Sequence, residues 1–265
     1  MVQVDPIELA DLARPDQLVA ELLRQNPQMP VPVPVEDIAA AVGIEQITAV
    51  PGDKFEGSLI CDPPKSRGVI LFNGTRRRTR QRFTIAHELG HFLLPWQRKT
   101  NFECSGRDLA ARGNSSDWEV QANEFAAGLL IPEVMFKPQA RTLGEPEIAH
   151  IMQLGDLYET SVEFTARRYV ELSEYACAVV FTKDNDVRYS VRSPFFEHVL
   201  CVKKGDRLPT KSSSRGSAGD SDEWHSIDTY WWLREQADSE QPEEVYEQTL
   251  RQEDGYKVTL LTYEA

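Results

Sequence analysis

Residues 83–91 read FTIAHELGH, with His87 and His91 four apart and Glu88 directly after the first. On an α-helix, residues four apart lie on one face, one turn above the other. The two imidazoles can therefore meet one metal ion. Glu88 lies about 100° further round the helix, so its carboxylate can reach water at that metal without ligating it. That is the physical content of an HExxH motif. The competing interpretation is a core helix whose two histidines are satisfied by hydrogen bonds. The flanking residues weigh against it. Phe83, Thr84, Ile85, Ala86, Leu89, Phe92 and Leu93 are apolar or nearly so on most sides of the helix. The segment should be buried, and two buried histidines with a buried glutamate need strong compensation. Gly90 costs about 1 kcal/mol relative to alanine inside a helix. It makes sense where another backbone or a substrate must come close.

A catalytic zinc site needs a third protein ligand and an open position for water. WEVQANEFAAGLLIP (118–132) supplies the leading candidate, Glu119. Asn123 lies four residues on, on the same face, placed to hydrogen-bond a ligand histidine's other nitrogen. Glu124 is rotated off that face. His150, His198 and His225 stand as alternative third ligands.

The composition bounds the rest. The chain has 265 residues, 41% of them hydrophobic, enough for one large domain or two modest ones. Its formal charge of −13 disfavours direct nucleic-acid binding, where phosphate contacts dominate affinity. RRRTRQR (76–82) stands out against that acidity. It is read as a solvated helix start with structural ion pairs rather than a phosphate patch. Cys61, Cys104, Cys177 and Cys201 form no CxxC, so they are taken as thiols in a reducing compartment rather than a disulfide scaffold. The N-terminus lacks the apolar region of a signal peptide, and the apolar runs fall short of a membrane span. A cytoplasmic protein with no membrane partner is the expectation.

Along the chain, residues 5–25 read as helical with a break at Pro15, and VEDIAAAV as a second helix. IEQITAV, GSLICD and RGVILFN read as strands. Gly57, at the start of the second, suits a bulge or a close backbone approach. Thr79–Leu94 is a helix stopped by Pro95. A polar connection covers 96–116, and Asp117–Leu130 is the next helix, stopped by Pro132. Two helices around LGDLYETS outline a helix-turn-helix-like element, with Ser161 as N-cap of the second. ACAVVFTKDNDVRYSVR reads as two strands, PTKSSSRGSAGDSDE (209–223) as a flexible loop and YKVTLLTYE as a closing strand.

RQRFTIAHELGHFLLP, followed by ExxAN and FAAGLLIP, resembles the ImmA/IrrE-type metallo-endopeptidases. The likeness extends over roughly residues 15–175, through PVPVEDIAAAVGI and the FEG strand to RRYVEL. It implies an α+β chain. A zincin-like peptidase domain with a small sheet and the HExxH helix would span 1–143. A helix-turn-helix-like segment would span 144–175, and a smaller strand-rich, GAF-like sensory domain 176–265. It also implies that His87, His91 and Glu119 bind the metal, Zn2+ first with Mn2+ as the alternative, and that Glu88 is the general base. Asn123 then orients a ligand histidine. Tyr158, Tyr169 and His150 are candidates to stabilise the oxyanion. The implied role is intracellular cleavage of a helix-turn-helix repressor, which derepresses stress-response or mobile-element genes. The alternative is a DNA- or partner-binding regulator with a vestigial peptidase site, disfavoured because both histidines, Glu88 and Glu119 are all present.

Overall fold

Prolines punctuate the N-terminal elements. In the computed structural model, α1 (Pro6–Ala10) and α2 (Pro15–Gln25) each begin on a proline. That position tolerates a missing N–H and wants proline's φ. Residues 2–52, 55–97, 99–106, 109, 118–216, 221–235 and 241–264 are described. After α3 (Val35–Ala41), the strands β1 (Ile44–Val50), β2 (Gly57–Cys61) and β3 (Gly68–Asn73) fall where the Val/Ile-rich runs place them. Then come α4 (Arg78–Leu93), β4 (Asn101–Cys104) and α5 (Trp118–Leu130). Asp117, the expected first residue of α5, lies outside the described residues.

The chain divides into two compact units. One comprises Met1–Glu133 with Leu157–Ser161, the other Val134–Asp156 with Val162–Ala265. In the first, the sheet order is β1-β3-β2-β4. β1 and β3 are parallel, while β2 runs antiparallel to both β3 and β4. Leu59 and Ile70 of the sheet, Ile85 and Leu89 of α4, and Phe125 and Leu129 of α5 are fully or almost fully buried. This core clamps α4 between sheet and α5. Gly90 is where the two helices touch: a Cβ there would stand 3.2 Å from Ala122 Cα and 3.1 Å from Phe125 Cδ1.

The basic run is absorbed into this unit as ion pairs. Arg76 and Arg80 reach the buried Glu56 at 2.8 and 3.2 Å. Arg78 pairs with Glu36 at 2.5 Å. Arg82 is itself buried, donates to the Val33 carbonyl at 2.9 Å and lies 3.6 Å from Glu159.

The second unit carries α6 (Glu133–Leu143) from Val134, most of α7 (Ile148–Tyr158) and α8 (Val162–Leu172), which begins directly after Ser161. Its antiparallel sheet has the order β6-β5-β9-β8-β7. The strands are β5 (Cys177–Lys183), β6 (Asp186–Arg192), β7 (Ser221–Asp228), β8 (Glu244–Arg251) and β9 (Tyr256–Thr262). Ala178, Val180, Phe196, Trp232, Val245 and Leu261 fill its core. Glu247 is buried beside them, accepting from Trp232 Nε1 at 2.8 Å, Ser212 Oγ at 3.0 Å and the Ser213 N–H at 2.5 Å. The expected loop over 209–223 is instead partly structured. Ser213–Arg215 form a 3-10 turn and β7 starts at Ser221, while 217–220 lie outside the described residues. The chain is thus mixed α+β, with eight α-helices and two sheets among the described residues. No helix there is long and apolar enough to cross a membrane.

Candidate metal centre

α4 presents His87 and His91 from one face, both wholly buried, with their rings edge-on at 4.6 Å between centroids. Each ring is held from behind. Asn123 Oδ1 lies 2.9 Å from His87 Nδ1, and Gln97 Oε1 lies 2.5 Å from His91 Nδ1. An amide oxygen can only accept, so each Nδ1 carries the proton and each Nε2 keeps its lone pair. Gln97 is anchored in turn, donating through Nε2 to the Trp118 carbonyl at 3.3 Å. His91 also stacks on Phe102 at 4.5 Å between centroids. Lys65 closes the end of α4 by donating to the His91 and Leu94 carbonyls at 2.5 and 3.0 Å.

The freed nitrogens converge. His91 Nε2 lies 3.0 Å from His87 Nε2. Glu119 Oε2, from the first turn of α5, lies 3.1 Å from His87 Nε2 and 3.4 Å from His91 Nε2. Burial pushes the His87 imidazole down, against the upward pull of the neighbouring Glu119 carboxylate. Burial alone would raise the Glu119 carboxyl, but the two imidazoles beside it outweigh that and hold it far below the usual carboxylate range. Two imidazole nitrogens facing a carboxylate oxygen are a donor set that suits a divalent ion.

Glu88 is also fully buried, next to His87 on α4. It lies against β2 where Gly57 has no side chain. A Cβ on Gly57 would come within 2.7 Å of Glu88 Oε1 and 2.3 Å of Thr84 Cγ2. The close approach expected at this glycine is therefore made by α4.

His87, His91 and Glu119 are brought together, with Asn123 behind His87, and a fourth residue joins them. Cys104 Sγ lies 3.3 Å from His87 Nε2, 3.8 Å from His91 Nε2 and 4.0 Å from Glu119 Oε2. These four are the one group among the described residues that could hold a metal ion. Sequence reasoning missed Cys104 and Gln97. The alternation of NFEC, with Phe102 and Cys104 buried and Asn101 and Glu103 exposed, was the available signal for Cys104. The alternative third ligands His150, His198 and His225 belong to the second unit and are not in the cluster. Of the oxyanion candidates, Tyr158 is wholly buried in the first unit, its phenol pushed up to about 12 by burial. His150 Nδ1 and Tyr169 Oη face each other at 3.3 Å in the second.

Residues 42–169, which hold every member of the cluster, match the family model of Peptidase M78, the IrrE N-terminal-like domain. Over that segment the chain is similar to this metallopeptidase family. No curated protein matches the chain. A solved Mycobacterium tuberculosis transcriptional regulator is similar at 12% identity, over 97% of this chain and 73% of that one, with a TM-score of 0.49. That likeness is too weak to carry fold or function.

Proposed function

We propose that the chain is a Zn2+-dependent endopeptidase, with Mn2+ as the alternative ion. Its substrate is a regulatory protein, a helix-turn-helix transcriptional repressor, whose loss derepresses stress-response or mobile-element genes. The observation that carries the reading is the convergence of His87 Nε2, His91 Nε2 and Glu119 Oε2 beside the buried Glu88, within the segment that matches the family.

His87, His91 and Glu119 would hold the ion. When bound, it supplies Lewis acidity toward the scissile carbonyl and lowers the pKa of water to about 7. Asn123 and Gln97 keep both histidines in the tautomer that binds through Nε2. Glu88 takes the proton from the attacking water on a carboxylate oxygen and hands it to the leaving amine. Gly57 leaves the room in which that carboxylate sits. Phe102, stacked on His91, keeps bulk water from one flank. The second unit, with its own five-stranded sheet and core, is read as a GAF-like sensory module that couples a signal to cleavage.

The test identifies the neighbouring genes, and incubates the chain with a helix-turn-helix repressor found among them, with Zn2+ or Mn2+ and with chelator. Cleavage should need the ion. Glu88→Gln should bind the ion as well as the parent but cut about 10²–10⁴-fold more slowly. Undiminished cleavage by Glu88→Gln would refute the base assignment, and cleavage in chelator would refute the metallopeptidase.

A further inference from the structure

We propose that Cys104 is a fourth ligand to the metal, so that the resting centre is a closed His–His–Cys–Glu site. The position that water needs would then open only when the thiolate leaves. The inference rests on the proposed metal site and adds to it the residue that regulates access.

The six distances among the four donor atoms carry the argument. Ligands about 2.0–2.3 Å from a common tetrahedral ion stand about 3.3–3.6 Å apart. The three edges among the histidines and Glu119 are 3.0, 3.1 and 3.4 Å. The three edges to Cys104 Sγ are 3.3, 3.8 and 4.0 Å. Sγ therefore completes the tetrahedron that the other three begin, on the side where a catalytic zinc site keeps its open position. A structural zinc site is closed by four protein ligands, and cysteine thiolate is among its commonest.

The fold explains how the thiol gets there and how it can leave. Cys104 is the last residue of β4, a four-residue strand at the edge of the sheet. Its register against β2 pairs Cys104 with Gly57, the glycine that seats Glu88. Ligand and base are thus aimed at one place from adjoining positions. Backbone pairing within the sheet fastens β4 along one side, to β2, supplemented by the Ser58 hydroxyl donating to the Phe102 carbonyl at 2.5 Å. An edge strand this short can shift at its end without unmaking the remaining sheet. Withdrawal of Cys104 at the strand's end would leave His87, His91 and Glu119 in place, since α4 and α5 carry them and Asn123 and Gln97 pin the rings, while Phe102, stacked on His91, lies two residues back in β4. The centre would pass from closed to open by losing one ligand.

The test uses the metal alone. Zinc X-ray absorption on the full chain should show one sulfur at about 2.3 Å. That sulfur should vanish in Cys104→Ser and persist in the Cys61→Ala/Cys177→Ala/Cys201→Ala triple variant, which covers the case where Cys104→Ser fails to fold. The Co2+-loaded parent should show a thiolate-to-metal charge-transfer band that acetohydroxamate does not perturb. In Co2+-loaded Cys104→Ser the band should be absent and acetohydroxamate should shift the spectrum. One zinc per chain with only nitrogen and oxygen neighbours would overturn the fourth ligand and leave the peptidase site standing. Acetohydroxamate binding to the parent with the thiolate band intact would overturn the closed centre. Failure to bind any metal would overturn both readings.

Discussion

Gly57→Ala should cost stability and displace the catalytic carboxylate, while leaving the metal ligands where they are. The added methyl would stand 2.3 Å from Thr84 Cγ2 and 2.7 Å from Glu88 Oε1, both closer than real side chains approach. β2 and α4 are both buried, so neither can move aside freely. Overpacking of this kind costs about 1–3 kcal/mol. The relief of glycine's backbone entropy offsets about 0.5–1 kcal/mol of that, leaving a net loss of up to about 2.5 kcal/mol. Thr84→Ser removes the nearer clashing atom. Alone it deletes one buried methyl, at about 1 kcal/mol. Combined with Gly57→Ala it should cost less than the sum, with a coupling of about 1 kcal/mol. Urea denaturation of the four proteins in the cycle reads this directly. The contact to Glu88 remains in the double variant. Because a displacement of about 1 Å can cost about 10²-fold in rate, cleavage should stay depressed when stability has partly recovered. Metal stoichiometry should be unchanged throughout. Strict additivity in the cycle, or a Gly57→Ala protein as stable and as active as the parent, would show that α4 does not seat on β2 as described.

Glu119→Ala should lose metal on dialysis; full stoichiometry in that variant would mean another residue supplies the third ligand. Asn123→Ala and Gln97→Ala should each weaken metal affinity by about 10–100-fold in chelator competition, with an unchanged constant in either removing that side chain from the site. Arg82→Met removes the charged donor to the buried Val33 carbonyl, which keeps only the Val35 N–H at 3.0 Å, and should cost about 1–3 kcal/mol in denaturation, whereas a neutral result would mean that Arg82 is dispensable to the fold. Glu247→Ala leaves the Trp232 indole and Ser212 hydroxyl without their acceptor, so the second unit should lose about 1–3 kcal/mol for each donor left buried. An unaltered unfolding profile would refute that.

The two ligand helices were legible because each carries a spacing that only a helix converts into proximity. His87 with His91 and Glu119 with Asn123 are both four apart, and their geometry is local. The β1–β3 strands announced themselves through Val/Ile runs bounded by Gly and Asp. What escaped lacks a local pattern. NFEC gives a single alternation inside a polar connection, so neither β4 nor Cys104 could be singled out, and Gln97 lies past Pro95, beyond the helix whose spacing would have linked it to His91. EVMFKPQARTL carries Pro138 inside the helix it forms, which masked α6. EVYEQTLR and SDEWHSID look too polar for strands. In β8, Glu247, Gln248 and Thr249 are buried all the same, and the partners recorded for Glu247 and Thr249 are side chains and a backbone N–H that only the folded chain provides. The arginine run was read correctly as ion pairs, yet only the structure names Glu56 as the acid shared by two of them.

The contact at Gly90 also bears on how the centre would accommodate ions of different radius. The α4 backbone there lies against the Ala122 backbone and the fully buried Phe125 ring of α5, so the gap between the histidine pair and α5 cannot readily contract or widen. The imidazoles are pinned through their far nitrogens and cannot follow a smaller or larger ion. Glu119, whose side chain is 28% exposed, retains the freedom to swing or to bind through one oxygen or two. Among the three ligands that α4 and α5 carry, tolerance toward zinc, manganese or cobalt is therefore set by a single carboxylate, with the histidine pair acting as a rigid gauge.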